Sequence, residues 1–343
     1  MREPFVVCRF IGALKTPNKL GNYTVMFDTT KTTTLSYSAF VKFSHCLKLS
    51  LSIFFFFLLS PPPAFSSDAA VLADMTIKPM AEAVQGIKSV LGNRAALFDS
   101  AEVSNEQDLL KKAGRGEYKV IITVGSEALK HVSAAASEQT RIVFTLAANP
   151  YVVPISSKTT GIRLFPSFYK SLKTLVKIKP GTKNIGVVYN PDASLDMIKE
   201  LKGAALDLGL NIRDVPAVSP SDAIGKIQWI EREIDAFFLL PDASIYTPPV
   251  IDYILLSCFR NKTALVGFAA KHIKKGALMA WTFDAVQIGR QTGEIALSIL
   301  SGKQVLPLYE PDNAHLEINL YTTELLGLSI PFDIMNSARG YRP

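Results

Sequence analysis

The feature that most constrains the fold of this chain is an alternation of short apolar runs with segments of helical periodicity, from Asp68 to Gly302. The apolar runs are rich in β-branched residues, as in residues 120–124, whereas residues 79–91 place their apolar side chains on one helical face. Strands joined by helices through short loops pair in parallel, and the helices then cover both faces of the sheet. The alternation therefore predicts an α/β fold built on parallel sheets.

The alternation comes in two sets, which are separated by residues 149–166, a stretch with three prolines and several Ser and Thr residues. Such a stretch suits a crossing between two lobes. We predict two doubly wound parallel-sheet lobes with a hinge and a cleft between them. Ligands of open α/β sheets lie beyond the carboxyl ends of the strands, so closure of the lobes about the crossings would bury a small ligand.

The front of the chain has the order of a secretory signal. Lys42 and Lys48 precede an apolar core at residues 49–59, and prolines and small residues follow it, with a cleavage site expected near Ser66. The apolar run is shorter than the roughly 20 residues that a membrane-spanning helix needs. We expect residues 1–66 to be a leader, with the signal peptide at about 41–66 and a translation start downstream of residues 1–40.

Charge and cysteine usage narrow the class of protein further. The chain carries a net charge of +7, but seven Lys/Arg and only two Asp/Glu precede Ser67, so the remainder is nearly balanced. That balance argues against nucleic acid as a partner. Cys8 and Cys46 lie in the leader, and Cys258 in an apolar run is expected to be a small buried residue without a disulfide partner.

Motifs that would indicate catalysis are missing from the sequence. The histidines His45, His131, His272 and His315 lack the spacing of metal ligands, and there is no phosphate-binding or dinucleotide-binding glycine motif. Gly125 and Ser126 follow a strand, but a nucleophile elbow needs glycines on both sides of the serine at a fixed spacing, and Val124 and Glu127 do not supply that pattern. We therefore predict no catalytic residue, no metal and no cofactor.

Polar residues follow most of the predicted strands, where helix N-termini offer free N–H groups to an anionic ligand group. Each of these residues alone is equally typical of a helix cap, and Ser194 is predicted to cap the helix after residue 190. Phe268 also follows a predicted strand, and its ring would be an apolar contact for a ligand. The candidate ligand-binding residues are Thr76, Gly125, Ser126, Asn149, Asn190, Asp192, Ser194, Asp242, Ser244, Phe268 and Asp284.

Several segments, in order and spacing, resemble the tryptophan/tyrosine-type group of ABC transporter substrate-binding proteins. The resembling segments are residues 121–128, 143–150, 160–162, 185–191, 283–294, 316–320 and 326–331, of which 283–294 is the most specific. The resemblance implies a periplasmic binding protein type I fold. It also implies that residues 67–160 and 277–302 form the first lobe, and residues 161–276 and 303–335 the second.

Three positions depart from the pattern of that group and leave the identity of the ligand open. Asn149 stands where members often have an acidic residue, and Phe268 begins an apolar run where they often have polar or acidic residues. The loop of Asp74, Met75 and Thr76 also differs from the usual pattern.

The resemblance implies a periplasmic receptor of an ABC importer, which captures a small organic solute such as an amino acid. It would deliver the solute to a membrane permease, with the ATPase as an indirect partner and the membrane reached only through the permease. For an amino acid, the carboxylate would lie near Ser126 or Ser194, and the ammonium near Asp242 or Asp284. The ligand's side chain would pack against Tyr189, Phe268 or Trp281.

Two alternatives stay open at this stage. The same two-lobed clamp could present its closed form to a membrane sensor, or a two-domain α/β scaffold could carry an enzyme. Neighbouring genes for a permease and an ATPase would favour transport, and turnover of a bound ligand would establish an enzyme.

Overall fold

The structure is a computed structural model, and it describes residues 23–25, 33–35, 67–164 and 166–343. The chain divides into two compact units, Met1–Phe65 and Ser66–Pro343. In the first unit, β1 (Tyr23–Val25) pairs antiparallel with β2 (Thr33–Leu35). The predicted signal peptide, residues 41–66, lies outside the described residues.

The second unit contains two sheets, each the centre of one lobe. The sheet of the first lobe has six strands in the order β13-β7-β6-β5-β3-β4, and all its pairings are parallel. Its strands are β3 (Ala69–Ala73), β4 (Ala95–Asp99), β5 (Val120–Val124), β6 (Arg141–Thr145), β7 (Thr159–Ile162) and β13 (Leu308–Tyr309), and its helices are α1 (Lys78–Leu91), α2 (Val103–Gly114), α3 (Ser126–Ala135) and α9 (Ala285–Leu300).

The sheet of the second lobe has seven strands in the order β15-β14-β12-β11-β10-β8-β9. Its pairings are parallel except that of β12 with β14, where Thr282 lies opposite His315. Its strands are β8 (Asn184–Tyr189), β9 (Asn211–Pro216), β10 (Ala236–Phe238), β11 (Ala264–Gly267), β12 (Met279–Thr282), β14 (His315–Asn319) and β15 (Ala338–Tyr341), and its helices are α4 (Phe168–Ile178), α5 (Pro191–Leu206), α6 (Pro220–Ile230), α7 (Pro248–Asn261), α8 (Ala270–Lys275), α10 (Leu320–Leu325) and α11 (Phe332–Ser337).

Burial on both faces explains why the central strands are almost entirely apolar. Along β3, Val71 belongs to one hydrophobic layer and Leu72 to the layer on the opposite face of the sheet. A strand covered by helices on both sides buries every position, so it has a near-continuous apolar run and no polar alternation. The same argument applies to β5, all of whose residues are buried and of which only Thr123 is polar.

Close contact between α1 and α9 explains the glycines of the most specific sequence segment. A Cβ atom on Gly289 would overlap the carbonyl oxygen of Ala83, and one on Gly86 would overlap that of Val286. Gly293 lies against Val90 farther along, so the two helices run in the same direction. Only glycine permits the two backbones to approach this closely.

The chain passes between the lobes after β7, after β12 and after β13. These places differ from the boundaries expected above. The segment 149–166 contains β7, a strand of the first sheet, and residues 308–309 also pair within the first sheet, with Gly161 and Ile162. The prediction that the chain returns to the first lobe at residue 277 was wrong for β12. Met279–Thr282 pairs in the second sheet, and it is α9 that returns to the first lobe. Periodicity identifies a strand but does not say which sheet it joins.

We find no helix in the described part of the chain whose length and apolarity would let it cross a bilayer.

Candidate functional site

A hydrogen bond joins loops beyond the carboxyl ends of the two sheets, and we call the region between these ends the cleft. Asn149 follows β6 of the first lobe, and its Nδ2 donates to the carbonyl oxygen of Ala193 at 2.5 Å, in the first turn after β8 of the second lobe. Its Oδ1 accepts from the backbone N–H of Tyr151 at 2.8 Å. Asn149 therefore joins the two lobes and also caps its own loop.

On the second lobe, a buried carboxylate organises the loops that border the cleft. Asp242 Oδ2 accepts from Ser194 Oγ at 2.8 Å and from the backbone N–H of Asn190 at 3.2 Å. Its Oδ1 accepts from the Oγ of Ser244 at 2.5 Å and from its backbone N–H at 3.1 Å. Asn190 Nδ2 then donates to Ser244 Oγ at 3.1 Å. Four predicted residues thus form one network, with Asp242 and Ser194 buried and Ser244 exposed at its rim.

This network changes the roles predicted for two of its members. Ser194 is not the cap of α5: Asn190 is, because its Oδ1 accepts from the N–H of Asp192 at 3.0 Å, and Pro191 occupies the first helical position. Proline at that position is typical of a helix start and could have revealed the cap. A carboxylate offers about four acceptor sites, and all four of Asp242 are in use, so Asp242 positions Asn190 and Ser244.

On the first lobe, the turn between β5 and α3 leaves polar groups without partners. Gly125 has a φ of 101°, which favours glycine, and α3 has no side-chain cap. Ser126 Oγ is a buried atom without a hydrogen-bond partner among the described residues. The first turn of α3 therefore keeps free donors at the edge of the sheet that borders the cleft.

Leu146 is a residue of this edge that sequence reasoning did not select. It follows β6 directly and has a φ of 50°, in the left-handed region that leucine rarely adopts. Such strain is often held at functional sites. No local sequence signal would reveal it, because the conformation depends on the packing around the end of β6.

The remaining predicted residues are more separate. Thr76 is exposed and bonds Asp74 Oδ1 through its backbone N–H at 2.9 Å. Asp284 is exposed and caps α9, where its Oδ1 accepts from the N–H of Gln287 at 2.9 Å. Phe268 packs edge to face against the ring of His272, with centroids 4.5 Å apart. Asp192 is exposed in the first turn of α5, and its side chain has no partner in the described part of the chain.

A second polar contact between the lobes was also not predicted. Glu200 on α5 accepts from Tyr151 Oη at 2.6 Å through one oxygen and pairs with Arg163 at 2.8 Å through the other. Burial, followed by the nearby Glu200 carboxylate, raises the pKa of Tyr151 to about 12. These residues flank the first crossing, and sequence gives no sign of the pairing because 37 residues separate Arg163 from Glu200.

No group of three or more His, Cys, Asp or Glu side chains in the described residues is arranged to hold a metal ion. Cys258 is buried, and burial raises the pKa of its thiol to about 12.

Comparison with known proteins gives a family match over most of the chain. A family model described as "ABC transporter substrate binding protein" matches residues 79–341. A curated relative, a tyrosine-binding protein of Clostridioides difficile (strain R20291), is 24% identical over 181 residues, which are 49% of this chain and 50% of the relative. The match thus spans about half the length of that relative.

Three solved structures share the fold. A conserved domain protein from Vibrio cholerae has a TM-score of 0.59 at 22% identity, covering 81% of this chain and all of that one. An ABC domain in complex with L-Trp from Streptococcus pneumonia has a TM-score of 0.59 at 16% identity, covering 79% and 98%. A ligand-free, open substrate-binding protein with adhesive properties from Clostridium difficile has a TM-score of 0.61 at 17% identity, covering 80% and 98%. The chain has the two-lobed architecture of periplasmic binding proteins of type I.

Proposed function

The chain belongs to the family of ABC transporter substrate-binding proteins, and from this premise we propose that it captures a small organic solute outside the cytoplasm for import. The observation that carries the proposal is the contact of Asn149 with Ala193, which brings the carboxyl ends of both sheets to one cleft. Loops beyond these strand ends are where α/β sheets hold ligands.

We propose an amino acid as the solute. One curated relative is described as a tyrosine-binding protein, and one solved structure with this fold is described as a complex with L-Trp. The unpartnered Ser126 hydroxyl and the free N–H groups of α3 suit the carboxylate of such a ligand. This assignment favours Ser126 over Ser194, whose hydroxyl already bonds Asp242.

The ammonium group of the solute would pair with a carboxylate that keeps a free oxygen. Asp284 uses only Oδ1 to cap α9, which leaves Oδ2 available, whereas both oxygens of Asp242 are engaged. Phe268 and Trp281 are the aromatic residues available for the ligand's side chain, since both are partly exposed near the carboxyl ends of β11 and β12, while Tyr189 is buried in the core.

Closure of the lobes would remove water from the solute, so each buried polar group of the ligand needs a protein partner. The closed form would then dock on a permease and release the unaltered solute, with the ATPase acting through that permease. A cleavable signal peptide would place the mature chain in the periplasm.

Native mass spectrometry of freshly purified protein tests this proposal. We expect a co-purifying species with the mass of an amino acid, released unchanged on denaturation, and saturable binding of L-tyrosine or L-tryptophan by calorimetry. If no amino acid co-purifies and none binds, the proposed solute class is wrong. Release of a chemically altered ligand would contradict a receptor without turnover.

A further inference from the structure

Phe268 lies at the carboxyl edge of the second sheet, next to the strand that the Asp242 loop follows. It comes directly after β11, and β11 pairs in parallel with β10. The backbone N–H of Leu239 donates to the carbonyl oxygen of Val266 at 3.0 Å, so this pairing continues to the ends of both strands. The half-buried Phe268 therefore shares an edge of the sheet with the Asp242 network.

One buried side chain, His272, contacts both the backbone and the ring of Phe268. Its Nδ1 accepts from the backbone N–H of Phe268 at 3.3 Å, and the two rings pack edge to face at an interplanar angle of 79°. Because Nδ1 accepts, the hydrogen of the neutral imidazole is on Nε2. Burial, with the charges of Lys271 and Lys275 adding to it, lowers the pKa of His272 to about 4, so the ring is neutral at pH 7.

The surroundings of His272 hold its ring in place. Its backbone N–H donates to the carbonyl oxygen of Ala269, and its own carbonyl oxygen accepts from the N–H of Ala277, both at 2.9 Å. A Cβ atom on Gly267 would lie 2.7 Å from the Cβ of His272, so only glycine leaves room for this side chain. His272 is 1% exposed, and an enclosed ring has few other rotamers.

Capping of α8 accounts for only part of these contacts. The N-cap residue, Ala269, has no side chain that could cap, and His272 is the third residue of the helix. Its Nδ1 reaches back to an N–H before the helix, much as Glu or Gln does at the third position of a capping box. A cap needs only an acceptor, whereas the imidazole also packs against the Phe268 ring.

We propose that His272 is a positioning residue, which holds the Phe268 ring in one orientation at the cleft and thereby supports the binding of an aromatic solute. The inference rests on the proposed function, in which Phe268 is available for the ligand's side chain. Aromatic pairs depend on the relative orientation of their rings, whereas an aliphatic side chain packs on a ring in many orientations. Loss of His272 should therefore weaken aromatic ligands more than aliphatic ones.

The test is a double-mutant cycle of His272→Leu and Phe268→Leu in the full chain, with affinities for L-tyrosine and L-tryptophan measured by calorimetry. His272→Leu keeps a buried apolar side chain and removes both the acceptor and the ring. We expect it to weaken binding about fivefold, the contribution of one oriented aromatic pair. In the Phe268→Leu chain it should have no further effect, because the imidazole acts through that ring.

Three comparisons separate positioning from a general effect on the fold. Competition by L-leucine should be unaffected by His272→Leu. His272→Asn, whose Oδ1 can take the place of Nδ1, should recover part of the lost affinity, whereas Lys274→Ala, exposed on the same helix, should change nothing. Urea unfolding checks that each variant folds, and His272→Met, with a more adaptable side chain, replaces His272→Leu if that variant does not fold.

Equal losses of affinity with and without Phe268 would mean that His272 acts on the lobe as a whole, and would overturn the inference. Unchanged affinity for the aromatic amino acids in His272→Leu would overturn it as well, while the proposed solute class would stand. If the original chain binds no amino acid, the proposed solute class and this inference fail together.

Discussion

Asp242→Asn separates a structural role of this carboxylate from a direct role in ligand binding. The substitution keeps the shape of the side chain and one of its two oxygens. Two of the four donors, which come from Asn190, Ser194 and Ser244, then lose their acceptor and face an amide N–H₂ group. Hydrogen bonds to a charged group contribute about 1.5 kcal/mol each at the lower end of their range, so two of them give about 3 kcal/mol.

We expect Asp242→Asn to lower the free energy of unfolding of the second lobe by about 3 kcal/mol. Urea unfolding followed by tryptophan fluorescence measures this directly, because Trp229 and Trp281 both lie in the second lobe. The matched control is Asp192→Asn, since Asp192 is exposed and its side chain bonds no group among the described residues. We expect that control to change the unfolding free energy by less than about 0.5 kcal/mol.

The reasoning is refuted if Asp242→Asn leaves the unfolding free energy within about 0.5 kcal/mol of the original chain while solute affinity falls tenfold or more. That outcome would mean that the carboxylate contacts the ligand and that the four donors contribute little.

The other predictions concern a helix contact, a buried imidazole and the proposed ammonium partner. Gly289→Ala should destabilise the first lobe by about 2 kcal/mol in urea unfolding, because its Cβ would overlap the Ala83 carbonyl. Gly203→Ala, with open space around the same atom, should stabilise α5 by about 0.5–1 kcal/mol. Burial lowers the pKa of His272 to about 4, below its value of about 6.5 in the unfolded chain. The contribution of His272 is therefore complete above pH 6.5 and is lost as the pH falls toward 4, so the unfolding free energy should drop by about 2 kcal/mol between pH 7 and 5. His272→Gln should flatten that drop, and an equal drop in the variant would assign it to other groups. Asp284→Asn keeps an effective cap on α9 and removes the charge, so calorimetry should show weaker amino-acid binding with unchanged stability; unchanged affinity would remove Asp284 from the site.

Much of the architecture follows from the sequence because burial on both faces makes the central strands mostly apolar. The runs at β5 and β8 are recognisable on that basis, and Gly92 ends α1 as expected, with a φ of 54°. The short strand β7, with the sequence TTGI, carries no such pattern, and the prolines around it predict a linker instead. Which sheet a strand joins is decided by tertiary pairing, so the placement of β12 could not be predicted.

The location of the candidate site was predictable from the sequence, but the roles of its individual residues were less so. Residues that follow strands lie at the carboxyl edge by topology, which is why Asn190, Ser194, Asp242 and Ser244 come together. Whether a carboxylate is free for a ligand depends on donors about 50 residues away in the chain, as for Ser194 and Asp242. The same long separation hides the pairing of Arg163 with Glu200.

Closure of the two lobes on a bound amino acid is the central claim, and one distance measures it. Val103 and Val218, 67% and 80% exposed, follow the edge strands β4 and β9, far from the strands that carry the crossings. Spin labels at Val103→Cys and Val218→Cys, with Cys8 and Cys46 changed to Ser and Cys258 buried, report the mouth of the cleft. Pulsed electron resonance should show this distance shorten when the amino acid saturates the protein. An unchanged distance distribution at saturation would contradict the account.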